Sequence, residues 1–228
     1  MMRPAKHLRG LGLPVALIAA FAASVSPSRA QTVPDKDAII NQLSRFETAP
    51  ALDIASLRQQ VLERSRSRSR HEPEPSKRPP IVPALFKLPT VNLDIDFDTD
   101  TPVVRPDSYQ TLGRLADALV NARLSPYAFL IVGHSDSTWK REANVILSQR
   151  RADAIRDVLV NTFKVSAKRV QTLGLGEEQF IDQAHPTSPV NLQIQIVTIA
   201  KLPEQSEQPR QAATAIRPSA AKKPAKKR

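Results

Sequence analysis

The chain has 228 residues, a formal net charge of +11 and no cysteine. That length suits one ordinary domain with flanking segments, at ~100–200 residues per domain. The missing thiols exclude a disulfide framework, a cysteine zinc site, a cysteine nucleophile and lipidation on sulfur, and the basic excess points to a polyanionic partner unless it lies outside the folded part.

Residues 1–30 read as an export signal. Arg3, Lys6 and Arg9 precede an apolar run from Leu11 to Val25, and Ser28-Arg29-Ala30 offers a cleavage site. The run is shorter than the ~20 residues of a transmembrane helix, so cleavage after Ala30 and a water-soluble, extracytoplasmic mature chain are expected. In residues 31–63, Ala38, Ile39, Ile40 and Leu43, then Leu57, Val61 and Leu62, recur at spacings of three and four. They predict short amphipathic helices that dock on the domain or on a partner.

Residues 64–89 open with RSRSRSR and continue through six prolines. This segment is expected to be a linker, because it offers little apolar surface to offset the entropy of ordering. Its arginines read as a solvated spacer or as an electrostatic tether to an anionic envelope surface. Residues 201–228, ending AAKKPAKKR, are expected to be a disordered basic tail. Residues 90–200 hold eleven basic and thirteen acidic residues. The excess charge therefore sits on the arms, and nucleic acid is not an expected partner.

Within residues 90–200, Val91, Leu93, Ile95 and Phe97 alternate with Asn92, Asp94 and Asp96, which predicts a strand with one apolar face. Pro106-Asp107-Ser108 opens a helix carrying Leu112, Leu115, Ala116, Leu119 and Val120. Tyr127–Val132 is apolar enough for a central, doubly covered strand. A long helix over about Arg141–Phe163, a short strand at Val170–Leu173 and a last strand ending by Ile199 complete the pattern. The expected class is α+β: a βαβαβ unit plus a further strand, forming a small mixed sheet with two helices packed on one face. A short helical segment precedes it and disordered linkers flank it.

On the long helix, Leu147, Ala154, Ile155 and Val158 predict a buried stripe that includes Arg151. A guanidinium on that side needs an anion and hydrogen-bond acceptors. Asn144 and Ser148 project toward the same side. The loop I-V-G-H-S-D places Asp136 beyond the end of its strand, and Phe97-Asp98-Thr99 leaves the first strand in the same manner. Two carboxylates and one arginine would then line a cleft. A helix cap, an Asx-turn and a bridging arginine account for them equally well.

G-H-S-D at 133–136, N-x-x-L-S-x-x-R-A at 144–152 and G-L-G-E at 174–177 resemble the OmpA-like peptidoglycan-binding domain over roughly residues 90–200. The resemblance implies non-catalytic attachment to the cell wall through the diaminopimelate of the stem peptide. By it, Asp136 would hold the ammonium and Arg151 the carboxylate of that residue, with Phe97, Asp98, Asn144 and Leu147 lining the pocket. It also implies a periplasmic protein associated with the wall or outer membrane, with no cofactor and with other envelope proteins as possible partners. Two positions depart from the family pattern: Trp139 stands where a glycine is usual, and Asn191-Leu192-Gln193 replaces N-R-R, removing a cationic contact. An alternative reading is an envelope interaction protein whose basic arms bind an anionic membrane surface beside a degenerate OmpA-like domain. Enzyme readings are weak, since adjacent His134, Ser135 and Asp136 cannot form a relay without outside groups. His134, Asp136 and His185 lack metal-ligand spacing.

Overall fold

The computed structural model describes residues 34–67, 73–74, 77–135, 140–185 and 188–203. The expected signal, residues 204–228 of the expected tail, Asp136 and Trp139 lie outside the described residues. Among the described residues, the strands β1 (Thr90–Leu93), β2 (Tyr127–His134), β3 (Val170–Gly176) and β4 (Ile194–Lys201) form one sheet in the order β1-β4-β2-β3. β4 runs antiparallel to both β1 and β2, and β2 runs parallel to β3. The sheet is mixed, as the alternation at its two ends and the continuous apolar run in the middle predict.

Period-two side-chain alternation sorts the sheet into two apolar faces. Phe129 and Ile131 of β2 share one face with Val91, Leu93, Ile194 and Ile196. That face is covered by α1 (Lys36–Leu43), α3 (Tyr109–Leu119) and α4 (Arg141–Asp157), the last continuing as a π turn over Val158–Thr162. Ala128, Leu130 and Val132 join Leu173, Leu175, Val197 and Ile199 on the other. Asp35 caps α1 by accepting a hydrogen bond from Asp37 N at 2.9 Å, and Ile39, Ile40 and Leu43 are buried. Thr198 Oγ1 donates to Leu43 O at 2.8 Å and fixes the end of that helix on β4.

The second face corrects the linker expectation. A further helix, α2 (Ile54–Arg66), takes in the first arginines of the RSRSRSR run, and a 3-10 turn follows at Pro83–Lys87. Ile54, Val61, Val82 and Leu85 are buried there against the sheet. Val82 and Gln179 exchange two hydrogen bonds, Val82 N to Gln179 Oε1 at 2.8 Å and Gln179 Nε2 to Val82 O at 3.2 Å. The segment packs because Ile81, Val82, Leu85 and Leu88 supply apolar area, while the prolines lower the entropy that ordering must overcome.

β3 is an edge strand, and its open backbone groups are occupied by side chains. Arg156 Nε donates to Val170 O at 2.9 Å, and Arg58 Nε and Nη2 donate to Thr172 O at 3.1 and 2.7 Å. Gly174 N donates to Gln149 Oε1 at 2.7 Å, and Gly176 N to Ser148 Oγ at 2.9 Å. This blunts an edge that would otherwise template pairing with another chain. It also requires α4 to lie almost in contact with the sheet. A Cβ on Gly133 would run into the Ser148 carbonyl, and one on Gly174 into the Gln149 backbone. Gly133→Ala or Gly174→Ala is therefore expected to lower the unfolding free energy by ~1–3 kcal/mol or more, read from the midpoint of a denaturant titration at unchanged slope.

Candidate functional site

Two elements build the site: the loop after β1 and the first half of α4. Beyond β1 the chain stays extended to Phe97, which pairs with Val104. Asp98 N donates to Val103 O at 2.9 Å, and Thr101 N and Oγ1 both donate to Asp98 O at 3.1 Å. These bonds close a tight turn in which Asp100 adopts φ 57°, a conformation that aspartate tolerates better than most residues.

α4 carries the other wall. Its buried face consists of Asn144, Val145, Ser148, Ala152 and Ile155, so Leu147, Ala154 and Arg151 border the core as half-buried residues. Arg151 meets the loop twice. Its guanidinium carbon lies 4.9 Å from the centre of the Phe97 ring, and its Nε donates to Thr101 O at 3.2 Å. A cation held over an aromatic face keeps its charge at modest desolvation. Alongside runs a groove of about 290 Å³ lined by Asp100, Ala143, Asn144, Ile146, Leu147 and Arg150.

Of the residues expected at the site, the structure brings Phe97 against Arg151 and puts Asn144 and Leu147 in the adjoining groove. Asp98 is exposed in the turn that supplies Thr101. Asp136 lies outside the described residues, between Ser135, whose N donates to Gly176 O at 3.1 Å, and Lys140 at the start of α4.

Asn144 is positioned by Glu177, the last residue of the G-L-G-E stretch, to which the sequence reading gave no role. It is 1% exposed, and its Nδ2 donates to Glu177 Oε2 at 3.0 Å. Glu177 and Glu178, at the end of β3, are both buried. Arg141 holds Glu178 bidentately, Nε to Oε1 and Nη2 to Oε2, both at 2.7 Å. Arg64 Nε lies 3.3 Å from Glu178, and Arg78 Nη1 lies 3.4 Å from Glu177 and 3.7 Å from Glu178. Three cations and two anions thus join α2, the proline-rich segment, α4 and β3 in one ionic knot. Burial raises the Glu177 pKa above the usual carboxylate value, and the hydrogen bonds from Asn144 and Arg78 pull it back. The sequence signal was present: two adjacent glutamates after G-L-G, and a basic run that could meet them.

His134, in the G-H-S-D stretch, is structural. It is 2% exposed, with Nδ1 2.9 Å from Gln179 O and Nε2 2.8 Å from Gln195 Oε1. Burial pushes its pKa below the ordinary 6.5, against both hydrogen bonds. Among the described residues no group of three or more His, Cys, Asp or Glu could hold a metal ion.

The OmpA family model matches residues 96–191, which contain both walls of this site. Outer membrane porin F of Pseudomonas aeruginosa is 38% identical over 97 residues, which are 42% of this chain and 27% of that protein. A peptidoglycan-associated lipoprotein of Agrobacterium fabrum is 42% identical over 92 residues, 40% of this chain and 50% of that one. The chain thus spans half or less of the length of these curated relatives. Among solved structures, the peptidoglycan-associated lipoprotein from Burkholderia pseudomallei overlays with a TM-score of 0.37 at 21% identity, covering 55% of this chain and 98% of that one.

Two outcomes follow from the knot and the histidine. Glu178→Ala strips Arg141 of its bidentate partner and should cost ~3–5 kcal/mol of stability, measurable by denaturant unfolding. An imidazole with a lowered folded-state pKa stabilises the fold above pH 6.5 and loses that contribution as pH falls below it. His134→Gln should therefore flatten the decline of the thermal midpoint between roughly pH 7 and pH 5, followed by circular dichroism.

Proposed function

Starting from residues 96–191 as an OmpA-family domain, we propose that this protein binds peptidoglycan non-catalytically in the periplasm and tethers the envelope to the wall, through the diaminopimelate of the stem peptide. The observation that carries this reading is Arg151, stacked on Phe97 and bonded to the Thr101 carbonyl beside a groove open to solvent. Such a guanidinium is fixed in orientation before any ligand arrives. Diaminopimelate presents an amine and a carboxylate on one carbon, so a planar donor fork paired with an anion selects it by geometry as well as by charge. In this reading Arg151 grips the carboxylate and Asp136 the ammonium. Asn144, Leu147, Phe97 and Asp98 shape the pocket between them.

At about 290 Å³ the groove sits at the low end of ligand sites, ~300–1,000 Å³, a size for a short peptide segment rather than for a glycan strand. The alternative, attachment through basic arms alone, is weakened because Arg64 pairs with the buried Glu178 at 3.3 Å and Arg66 with Glu142 at the surface at 2.7 Å.

Arg151→Ala removes charge-assisted hydrogen bonds worth ~1.5–3 kcal/mol each. It is expected to weaken co-sedimentation of the full chain with purified sacculi by about ten- to a hundredfold, and free diaminopimelate should compete the wild type off. Unchanged sedimentation of a variant with a wild-type circular dichroism spectrum contradicts the assignment.

A further inference from the structure

The arginines of α4 divide in a way that the wall-binding reading does not use. Arg141 pairs with Glu178, Arg151 donates to Thr101 O, and Arg156 donates to Val170 O and, at 3.3 Å, to Ala167 O. Arg150 has no polar partner among the described residues, yet it lines the groove that Asn144 and Leu147 share. Asp100 lines the same groove from the opposite element, the turn after Phe97, and its carboxylate also has no partner among the described residues. The two are opposite in charge and border one space, but no ion pair joins them. The tight turn holds Asp100 where it is: Thr101 is bonded through both N and Oγ1 to Asp98 O.

Their chemistry narrows the occupant. A guanidinium can only donate and an ionised carboxylate can only accept. A ligand segment that satisfies both offers a carboxylate for Arg150 and an N–H for Asp100, a few atoms apart, over the apolar floor of Ala143, Ile146 and Leu147. Resting on the wall-binding reading, we infer that Arg150 and Asp100 are specificity-determining residues for the residue next to diaminopimelate, a γ-linked D-glutamate. Its peptide linkage runs through the side-chain carboxyl, which leaves its α-carboxylate free. Arg150 receives that α-carboxylate, and Asp100 accepts the N–H of the adjoining amide. Amidation of the α-carboxylate, which turns the glutamate into isoglutamine, replaces an acceptor charge with a neutral amide and removes the reason for Arg150.

The test is calorimetric titration of the full chain with three soluble probes: free diaminopimelate, the tripeptide L-alanyl-γ-D-glutamyl-diaminopimelate, and the same tripeptide with its glutamyl α-carboxylate amidated. Arg150 and Asp100 are both exposed, so wild type is expected to favour the acidic tripeptide over the amidated one by about two- to fivefold, the scale of an exposed charge contact. Arg150→Ala should erase that preference. Asp100→Asn, which keeps a residue tolerant of positive φ, should weaken both tripeptides. Equal affinity of wild type for the two tripeptides, or a preference surviving in Arg150→Ala, overturns the inference while leaving diaminopimelate recognition standing. A wild type that binds none of the three probes overturns the wall-binding reading and this inference with it.

Discussion

Two carboxylates at the end of β3 hold this structure together. Glu177 and Glu178 are buried side by side, and two carboxyl groups in such a place call for cations and hydrogen-bond donors close at hand. Arg141 comes from the start of α4, Arg64 from the end of α2 and Arg78 from the proline-rich segment. One knot therefore closes the covering segment over the second sheet face and sets the entry of α4. It also reaches the site, because Glu177 accepts the hydrogen bond from Asn144. Removal of either glutamate leaves three arginines facing one carboxylate, which is why a knot of this kind locks several elements at once.

The placement of α4 depends equally on what is missing. Gly133 and Gly174 have no side chains, and only that allows the helix backbone to approach β2 and β3 closely enough for Ser148 and Gln149 to bond the open edge of the sheet. Once the helix is seated there, its next ridge presents Leu147 and Arg151 toward the turn after β1. A rigid helix and a turn closed by several hydrogen bonds give the proposed ligand a preformed surface, so little ordering entropy would be lost on binding.

Much of the fold was legible because it rests on periodicity. The alternation around Val91 and around Ile194 predicts the two strands at one side of the sheet, and the unbroken run in β2 predicts burial on both faces. The buried face of α4 was misjudged by about one position. A search for apolar residues selects Leu147 and Val158, whereas the core takes Ser148 and Ala152, because a hydroxyl bonded to Gly176 N next to a glycine packs better than a large side chain. Residues 64–89 were read as a linker because charge and proline dominate their composition. The partners that neutralise Arg64 and Arg78 lie far along the chain, and no local pattern shows them. At the site, the motifs contain Arg151, Asn144 and Glu177, but they do not show the Thr101 carbonyl against Arg151, the bond from Asn144 to Glu177 or the groove wall at Asp100, which depend on a turn and a helix packing that composition does not encode.

The central claim is that α4 and the turn after β1 meet in a preformed receptor whose guanidinium takes the ligand carboxylate. The most direct measurement is a nuclear magnetic resonance titration of the full chain with diaminopimelate, following the Arg151 Nε–H, the Asn144 side-chain amide and the backbone amides of Phe97 and Asp98. The account predicts that these signals shift together and saturate on a single isotherm, while amides of α1 stay in place. Saturation with those signals unmoved, or shifts confined to residues 204–228, would contradict it.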